Sequence, residues 1–410
     1  MKKFILPFVV IMAMMLSSCG ITNLAFRYQE MKENEAKAKA STKTTVPPTI
    51  DGPNILNICY NADYPDDCKM DIYRDNTTDK NRAVVMIHGG VWLKNIQQLN
   101  NTDRSSIAQD KDFFLNIKND DPNAAHKGFH VVNIEYRRIA VGQSTHTFRD
   151  MIDDIRTAIQ YIQAHGEEYN IRPDLIVMYG YSSGAHLAEL FSYKWTTAQG
   201  IASIYPFSPI KVGLCIAKSG ISDFANAEFH ECDVFGFTSD DSLKEELVRI
   251  CREGGIASSE QEIAPYIRSY LFTTLLGIKA NSNEIDVKKI ATDNKNMVNK
   301  ASPLYYVNQI NKQNLPLQAR LSSVTEAILL HGEQDTFAPI SMAEDLNTAL
   351  GTGFCKLFTM PNAGHELKHE DASDDAVYKE FEAYVTEKLI AITNDTTEHL
   401  SASHTDVTFD

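Results

Sequence analysis

Ser182 stands in Val177-Met178-Tyr179-Gly180-Tyr181-Ser182-Ser183-Gly184-Ala185-His186-Leu187: an apolar run, then Gly-x-Ser-x-Gly, then a run with helical spacing. A strand driven into a tight turn and straight out into a helix would present the serine hydroxyl above the end of a sheet. Gly180 and Gly184 remove side chains that would collide with the elements packed alongside. The chemistry on offer is nucleophilic. A serine oxygen would attack a carbonyl carbon, with the free N–H groups of the new helix aimed where negative charge develops. The competing reading is a plain Gly/Ser turn between two core elements, so the remaining parts of the apparatus have to be found.

A serine hydroxyl is a poor nucleophile at neutral pH without a base, a group to orient that base, and donors for the oxyanion. Met360-Pro361-Asn362-Ala363-Gly364-His365-Glu366 puts His365 in the loop after the last strand, as the base; His369 is the weaker candidate. Leu330-His331-Gly332-Glu333-Gln334-Asp335-Thr336-Phe337-Ala338-Pro339 offers Asp335, better placed than Glu333 between the Gly332 turn and the helix that Pro339 starts. Its carboxylate would accept a hydrogen bond from the imidazole Nδ1–H and fix the tautomer. His88-Gly89-Gly90-Val91-Trp92 lets the backbone approach a carbonyl oxygen, with the N–H of Gly90, or alternatively Gly89, as one donor and that of Ser183 as the second. His88 and His331 read as loop-holding rather than catalytic.

These residues need a scaffold that ends several strands at one rim. Strand signals fall at Ile55 to Tyr60 and Lys69 to Tyr73, an opening antiparallel pair, then at Ala83 to Ile87, His130 to Tyr136, Leu175 to Tyr179, Val212 to Ala217, Ala327 to Leu330 and Cys355 to Met360. Helical stripes run over Phe148 to Ala164 and about Asp374 to Ile392, with a shorter one around Asp112 to Ile117. Strands alternating with helices predict the α/β class, a mostly parallel central sheet with helices on both faces. Residues 225–300 read as a helical insertion, one helix starting at Ser242 and one from about Pro265 to Leu276, laid over the site as a lid or set aside as peripheral decoration.

The chain has 410 residues, 43% of them hydrophobic, enough for one large domain, here set at 51–393. Its net charge of −15 and the lack of a basic stripe argue against nucleic acid as a partner. Lys2-Lys3 followed by apolar Phe4 to Leu16 and Leu16-Ser17-Ser18-Cys19-Gly20 resembles a bacterial lipoprotein signal, residues 1–18. The resemblance implies cleavage before Cys19, lipidation of its sulfur and a membrane-tethered, extracytoplasmic protein; a plain secretory signal is the alternative. Residues 19–50 then read as a flexible tether and 394–410 as a polar, disordered tail. Cys59 and Cys68 flank a turn and could pair across it, as could Cys232 and Cys251 within the insertion; Cys215 and Cys355 sit in apolar runs suited to buried thiols.

Taken together, Ser182, Asp335 and His365 in that chain order resemble the triad of the α/β-hydrolase fold. Within it the chain is similar to bacterial carboxylesterases of the acetyl-esterase and feruloyl-esterase type, through His88-Gly89-Gly90-Val91-Trp92, Ile134-Glu135-Tyr136-Arg137, Gly180-Tyr181-Ser182-Ser183-Gly184, Ala301-Ser302-Pro303-Leu304-Tyr305 and His331-Gly332-Glu333-Gln334-Asp335. Val91 stands where lipase-like relatives carry a third glycine, Ser183 replaces a common alanine and Ala338 a usual valine. The resemblance implies a serine hydrolase acting on small-molecule or carbohydrate esters with no metal or organic cofactor. Amide cleavage by peptidase-like or formamidase-like members of the same fold competes with this, as does a non-catalytic binding protein on a hydrolase scaffold. The sequence leaves the oligomeric state open.

Overall fold

The computed structural model describes residues 49–51, 54–74, 80–94, 104–124, 127–140, 146–194, 211–236, 260–279, 284–317 and 324–395. The leader at 1–18, Cys19, nearly all of the tether at 19–50, the helix from Ser242 with Cys251, and the tail beyond 395 lie outside the described residues. Among the described residues, no helix is long and apolar enough to cross a membrane.

Nine strands form the main sheet in the order β1-β2-β3-β6-β4-β8-β9-β10-β11. They are β1 Thr49–Asp51, β2 Asn54–Cys59, β3 Lys69–Tyr73, β4 Asn81–Ile87, β6 Phe129–Ile134, β8 Ile171–Tyr181, β9 Lys211–Lys218, β10 Glu326–Gly332 and β11 Cys355–Met360. A separate short pair joins β5 Leu93–Lys94 to β7 Ile139–Ala140. The first three strands and their join to β6 are antiparallel, and every later pairing is parallel, as expected from the alternating strands and helices. β4 is buried along its whole length, and its residues divide by the two-residue period of a strand. Ala83, Val85 and Ile87 join one apolar layer with Met151, Ile155 and Leu187, while Val84 and Met86 join the opposite one with Phe114, Phe381 and Leu389. The second layer is closed by α1, Lys111–Asn116, and α9, Ala372–Asn394; the first by α2, Phe148–Tyr169, and α3, Ser183–Lys194.

Thr147 caps α2 in a reciprocal box with Asp150, and the helix ends at Asn170 in the left-handed region, φ 57°. It therefore runs beyond the expected end at Ala164. From the insertion onward come α4 Glu260–Leu276, α5 Val287–Asp293, α6 Lys295–Ala301, α7 Pro303–Asn311 and α8 Ile340–Leu350. Phe272, Leu275, Leu276, Val287, Ile290 and Val298 bury in the same apolar layer as α2 and α3, so these helices share the domain's main core.

Two expectations need correction. Thr49 and Ile50, assigned to the tether, belong to β1, which pairs antiparallel with Asn54–Leu56; the Pro47-Pro48 run before them gave no strand periodicity. Cys59 and Cys68 are both free thiols. Cys59 lies opposite Lys69, while the Tyr60 N–H donates to the Cys68 carbonyl at 3.1 Å. The two cysteines are thus one residue out of step on neighbouring strands, and their side chains point to opposite faces of the sheet. Cys215 is buried on β9, as its apolar run suggested, whereas Cys355 is half-buried at the start of β11.

Candidate active site

The bend after β8 supplies the serine. Ser182 has φ 55°, a left-handed conformation that costs a non-glycine residue about 1–2 kcal/mol and persists only when its surroundings fix it. Here its N–H donates to the Lys218 carbonyl at 2.8 Å, and its own carbonyl accepts from His186 N at 3.0 Å as α3 begins. The flanking glycines are required by contact. A Cβ on Gly184 would sit 2.1 Å from the Ile87 carbonyl oxygen, and one on Gly180 would sit 2.3 Å from that of Gly184.

Three side chains from three strand ends meet at this bend. His365 Nε2 lies 2.7 Å from Ser182 Oγ, and His365 Nδ1 lies 2.7 Å from Asp335 Oδ2. Asp335 Oδ1 accepts from the backbone N–H groups of Phe337 (2.9 Å) and Ala338 (2.8 Å). Burial alone would raise the Asp335 carboxyl, but His365 and His331 beside it hold it well below the usual carboxylate range. The imidazole is fixed through its backbone as well: the His365 carbonyl accepts from Ser219 Oγ at 2.9 Å and from the Tyr181 hydroxyl at 3.1 Å. Glu333 and His369 stay outside this arrangement; His369 faces Asp375 and stacks on Tyr378.

The loop after β4 runs alongside. A Cβ on Gly89 would come to 3.0 Å from the Tyr181 carbonyl oxygen and 3.2 Å from Ser182 Cβ, so a glycine lets this backbone lie against the serine turn without crowding it. Gly90, Val91 and Trp92 all have positive φ, 107°, 55° and 57°, which folds the loop back so that Leu93 N donates to the Gly90 carbonyl. Ser183 is the first residue of α3, where backbone N–H groups have no partner within the helix.

A second set of residues holds that loop. The His88 ring faces acceptors with both nitrogens, Gly89 O at 2.7 Å and Glu135 Oε1 at 3.1 Å, and the Tyr136 hydroxyl donates to the His88 carbonyl at 2.9 Å. Burial would raise Glu135, but His88 and then Arg138 bring its carboxyl down to about 2. His331 likewise faces the Ala338 carbonyl at 2.7 Å, bracing the loop that carries Asp335.

His186, four residues past Ser182, has no role that the sequence assigns it. Trp92 Nε1–H donates to its Nδ1 at 3.1 Å, and its Nε2–H donates to the Ala301 carbonyl at 2.9 Å. Burial lowers this imidazole to about 4, so it is neutral, with the proton on Nε2 as both bonds require. One chain of hydrogen bonds thus ties three of the phrases read from the sequence: the Gly-Gly-x-Trp loop, the helix after Ser182 and Ala301-Ser302-Pro303. The sequence offered only an indole needing an acceptor, which does not say where that acceptor lies.

Glu189, one turn further along α3, is also buried, against Gly220 and Ser222, and burial pushes its carboxyl up to about 8. A raised acid favours the folded state while it is protonated. That contribution should be complete below the ordinary glutamate range and should be lost as pH rises through about 8. Melting curves from pH 5 to 9 should therefore fall more steeply for the wild type than for Glu189→Gln; parallel curves would contradict the assignment.

A polar cavity of about 390 Å³ is lined among others by Asn57, Asp71, Arg104, Glu135 and Arg138, and Ser182 does not line it. Among the described residues no group of histidine, cysteine and carboxylate side chains could hold a metal ion.

The BD-FAE family model matches residues 70–247, which include the glycine loop and the serine bend but fewer than half of the chain's residues. No curated protein matches. Among solved structures, the chain is similar to a bifunctional GH43-CE protein of Bacteroides eggerthii, with 19% identity and TM-score 0.48 over 83% of this chain but only 38% of that longer one. A truncated carbohydrate esterase from gut microbiota is 15% identical, with TM-score 0.49 over 83% of this chain and 96% of that one. A thermophilic esterase of the Planctomycetes species Thermogutta terrifontis is 16% identical, with TM-score 0.48 over 85% and 93%. The sheet topology is that of the α/β-hydrolase fold, and the family match falls on the part of it that carries the glycine loop and the serine bend.

Proposed function

We propose that Ser182 is the nucleophile, His365 the general base and Asp335 the group that orients it, in an acyl-enzyme mechanism on esters attached to carbohydrate. The observation that carries the reading is the pair of 2.7 Å contacts running from Ser182 Oγ through both nitrogens of His365 to Asp335. His365 Nε2 takes the serine proton as Oγ bonds to the acyl carbon, then gives it to the leaving alcohol oxygen as the ester C–O bond breaks. Water repeats the sequence, losing its proton to His365 and releasing the acid as Ser182 regains its hydroxyl. The N–H of Gly90 or Gly89 and that of Ser183 receive the oxyanion at the tetrahedral stage. Asp335 remains ionised throughout, stabilising the imidazolium in a site largely closed to water.

Carbohydrate as the alcohol partner is supported by the family match and by the leader at the N-terminus, which suits work outside the cytoplasm. Wild-type enzyme should release acetate or ferulate from a decorated polysaccharide and cleave simple aryl esters. Ser182→Ala should lose roughly 10⁴-fold or more of both activities with an unchanged circular dichroism spectrum. Cleavage of aryl esters alone would sink the carbohydrate assignment and leave the esterase standing.

In the same reading the leader is removed before Cys19, and acyl chains on its sulfur hold the enzyme at a bacterial membrane surface. Replacing Cys19 by Ala should move the protein from the membrane to the soluble fraction and abolish labelling by a palmitate analogue. Retention of both in the variant would refute the anchor.

A further inference from the structure

We infer that Lys218, a buried lysine at the end of β9, is a positioning residue for both Ser182 and His365. Its ammonium group, held by Asp110 and Tyr378, fixes the strand end on which the serine bend and the backbone of the imidazole rest. The inference rests on the serine-esterase reading above and adds to it a residue outside the triad.

The end of β9 reaches both groups. The Lys218 carbonyl accepts from the Ser182 N–H at 2.8 Å, and Ser219, the next residue, donates through Oγ to the His365 carbonyl at 2.9 Å. Ser219 has φ 50°, left-handed like Ser182, and its N–H donates to the Leu330 carbonyl of β10 at 2.9 Å. This strand end is thus common to the nucleophile and the base, and a shift there moves one relative to the other.

Lys218 follows Leu214 and Ile216 by the two-residue period of a strand, toward the apolar layer closed by α1 and α9. Only 11% of its side chain is exposed, in a layer where methionine or leucine would pack without a charge to desolvate. The ammonium is met by fixed partners. Nζ lies 3.7 Å from Oδ2 of Asp110, just before α1, and donates to the Tyr378 hydroxyl of α9 at 3.3 Å. It also lies 5.4 Å from the Tyr378 ring and 5.7 Å from that of Tyr179, whose hydroxyl donates to the same Asp110 oxygen. Burial alone would lower the ammonium, but Tyr179, Asp110 and Tyr378 hold it well above the ordinary lysine range, so it stays charged. Tyr378 in turn stacks on His369, with centroids 4.3 Å apart, in the loop that carries His365. Hydrogen bonds to these partners set where the strand end sits between two helices, which non-directional apolar contact would not.

The test is steady-state hydrolysis of p-nitrophenyl acetate, with the rate of fluorophosphonate labelling and a melting curve taken on the same preparations. Lys218→Met keeps the length of the side chain and removes its charge. A displacement of about 1 Å is worth about a hundredfold in rate, so kcat and the labelling rate should each fall by about that factor. KM should stay within about twofold, since no contact to substrate is lost. Asp110→Asn/Lys218→Met leaves no lone charge behind, and the same losses are expected of it should the single variant not fold. Tyr378→Phe should lower kcat by about threefold or more alone and add nothing to Lys218→Met, because both remove one anchor. Folded variants that keep kcat and labelling within about threefold of wild type overturn the inference and leave the esterase reading intact. A raised KM with labelling unchanged also overturns it, because the lysine would then serve substrate binding. A folded wild type inert toward both ester and probe overturns the inference and the esterase reading together.

Discussion

Replacing Asp335 by Asn should lower kcat by roughly 10⁴-fold with little change in KM, because the substitution inverts the tautomer of His365. The carboxylate accepts on both oxygens: Oδ1 from the N–H groups of Phe337 and Ala338, Oδ2 from His365 Nδ1. An asparagine must keep its single oxygen toward the two backbone donors, since turning its NH₂ there would face N–H against N–H twice. Its NH₂ then faces His365, and Nδ1 becomes the acceptor. The ring proton moves to Nε2, which can no longer take the proton of Ser182. The fold should survive, because the backbone bonds of the loop are retained. Steady-state kinetics beside a melting curve check this, and a fall of less than about tenfold would show that Asp335 does not orient the base.

The second large effect is structural. Gly184→Ala would put a methyl carbon 2.1 Å from the Ile87 carbonyl oxygen and 2.4 Å from that of His88. Both are backbone atoms of β4 and its exit, so no side-chain rotation relieves the overlap. The start of α3 must move away from β4, at a cost of about 1–3 kcal/mol or more. Ser182 is two residues away and shares the bend. A displacement of about 1 Å is worth about a hundredfold in rate, so the variant should lose at least that much activity along with several degrees of melting temperature. Wild-type turnover in Gly184→Ala would mean the elbow does not need the close approach described here.

Much of the site was legible in the sequence. The serine bend, the glycine loop, Asp335 and His365 each sit at a strand's end within a few residues of a local signal. A glycine required by contact, such as Gly184 or Gly180, leaves its mark in the motif itself. Their convergence followed from parallel strands ending at one rim. Long-range polar pairings were not legible. Nothing local marks His186 as the link between Trp92 and Ala301, or Ser219 and Tyr181 as the donors that hold the His365 backbone, because each bond joins segments far apart in the chain. Glu189 lies on a helix buried from Ser183 to Tyr193, and nothing local in the sequence marks that burial. The Cys59–Cys68 pairing failed because proximity in sequence across a turn says nothing of which sheet face each side chain takes, and there the register decides.

The central claim is that Ser182 is activated by His365. Intact-mass spectrometry after exposure of the folded protein to a small fluorophosphonate tests it most directly. The account predicts one adduct per chain on Ser182, absent in Ser182→Ala and formed far more slowly in His365→Ala. An unmodified wild-type protein, or labelling at an undiminished rate without the histidine, would contradict it.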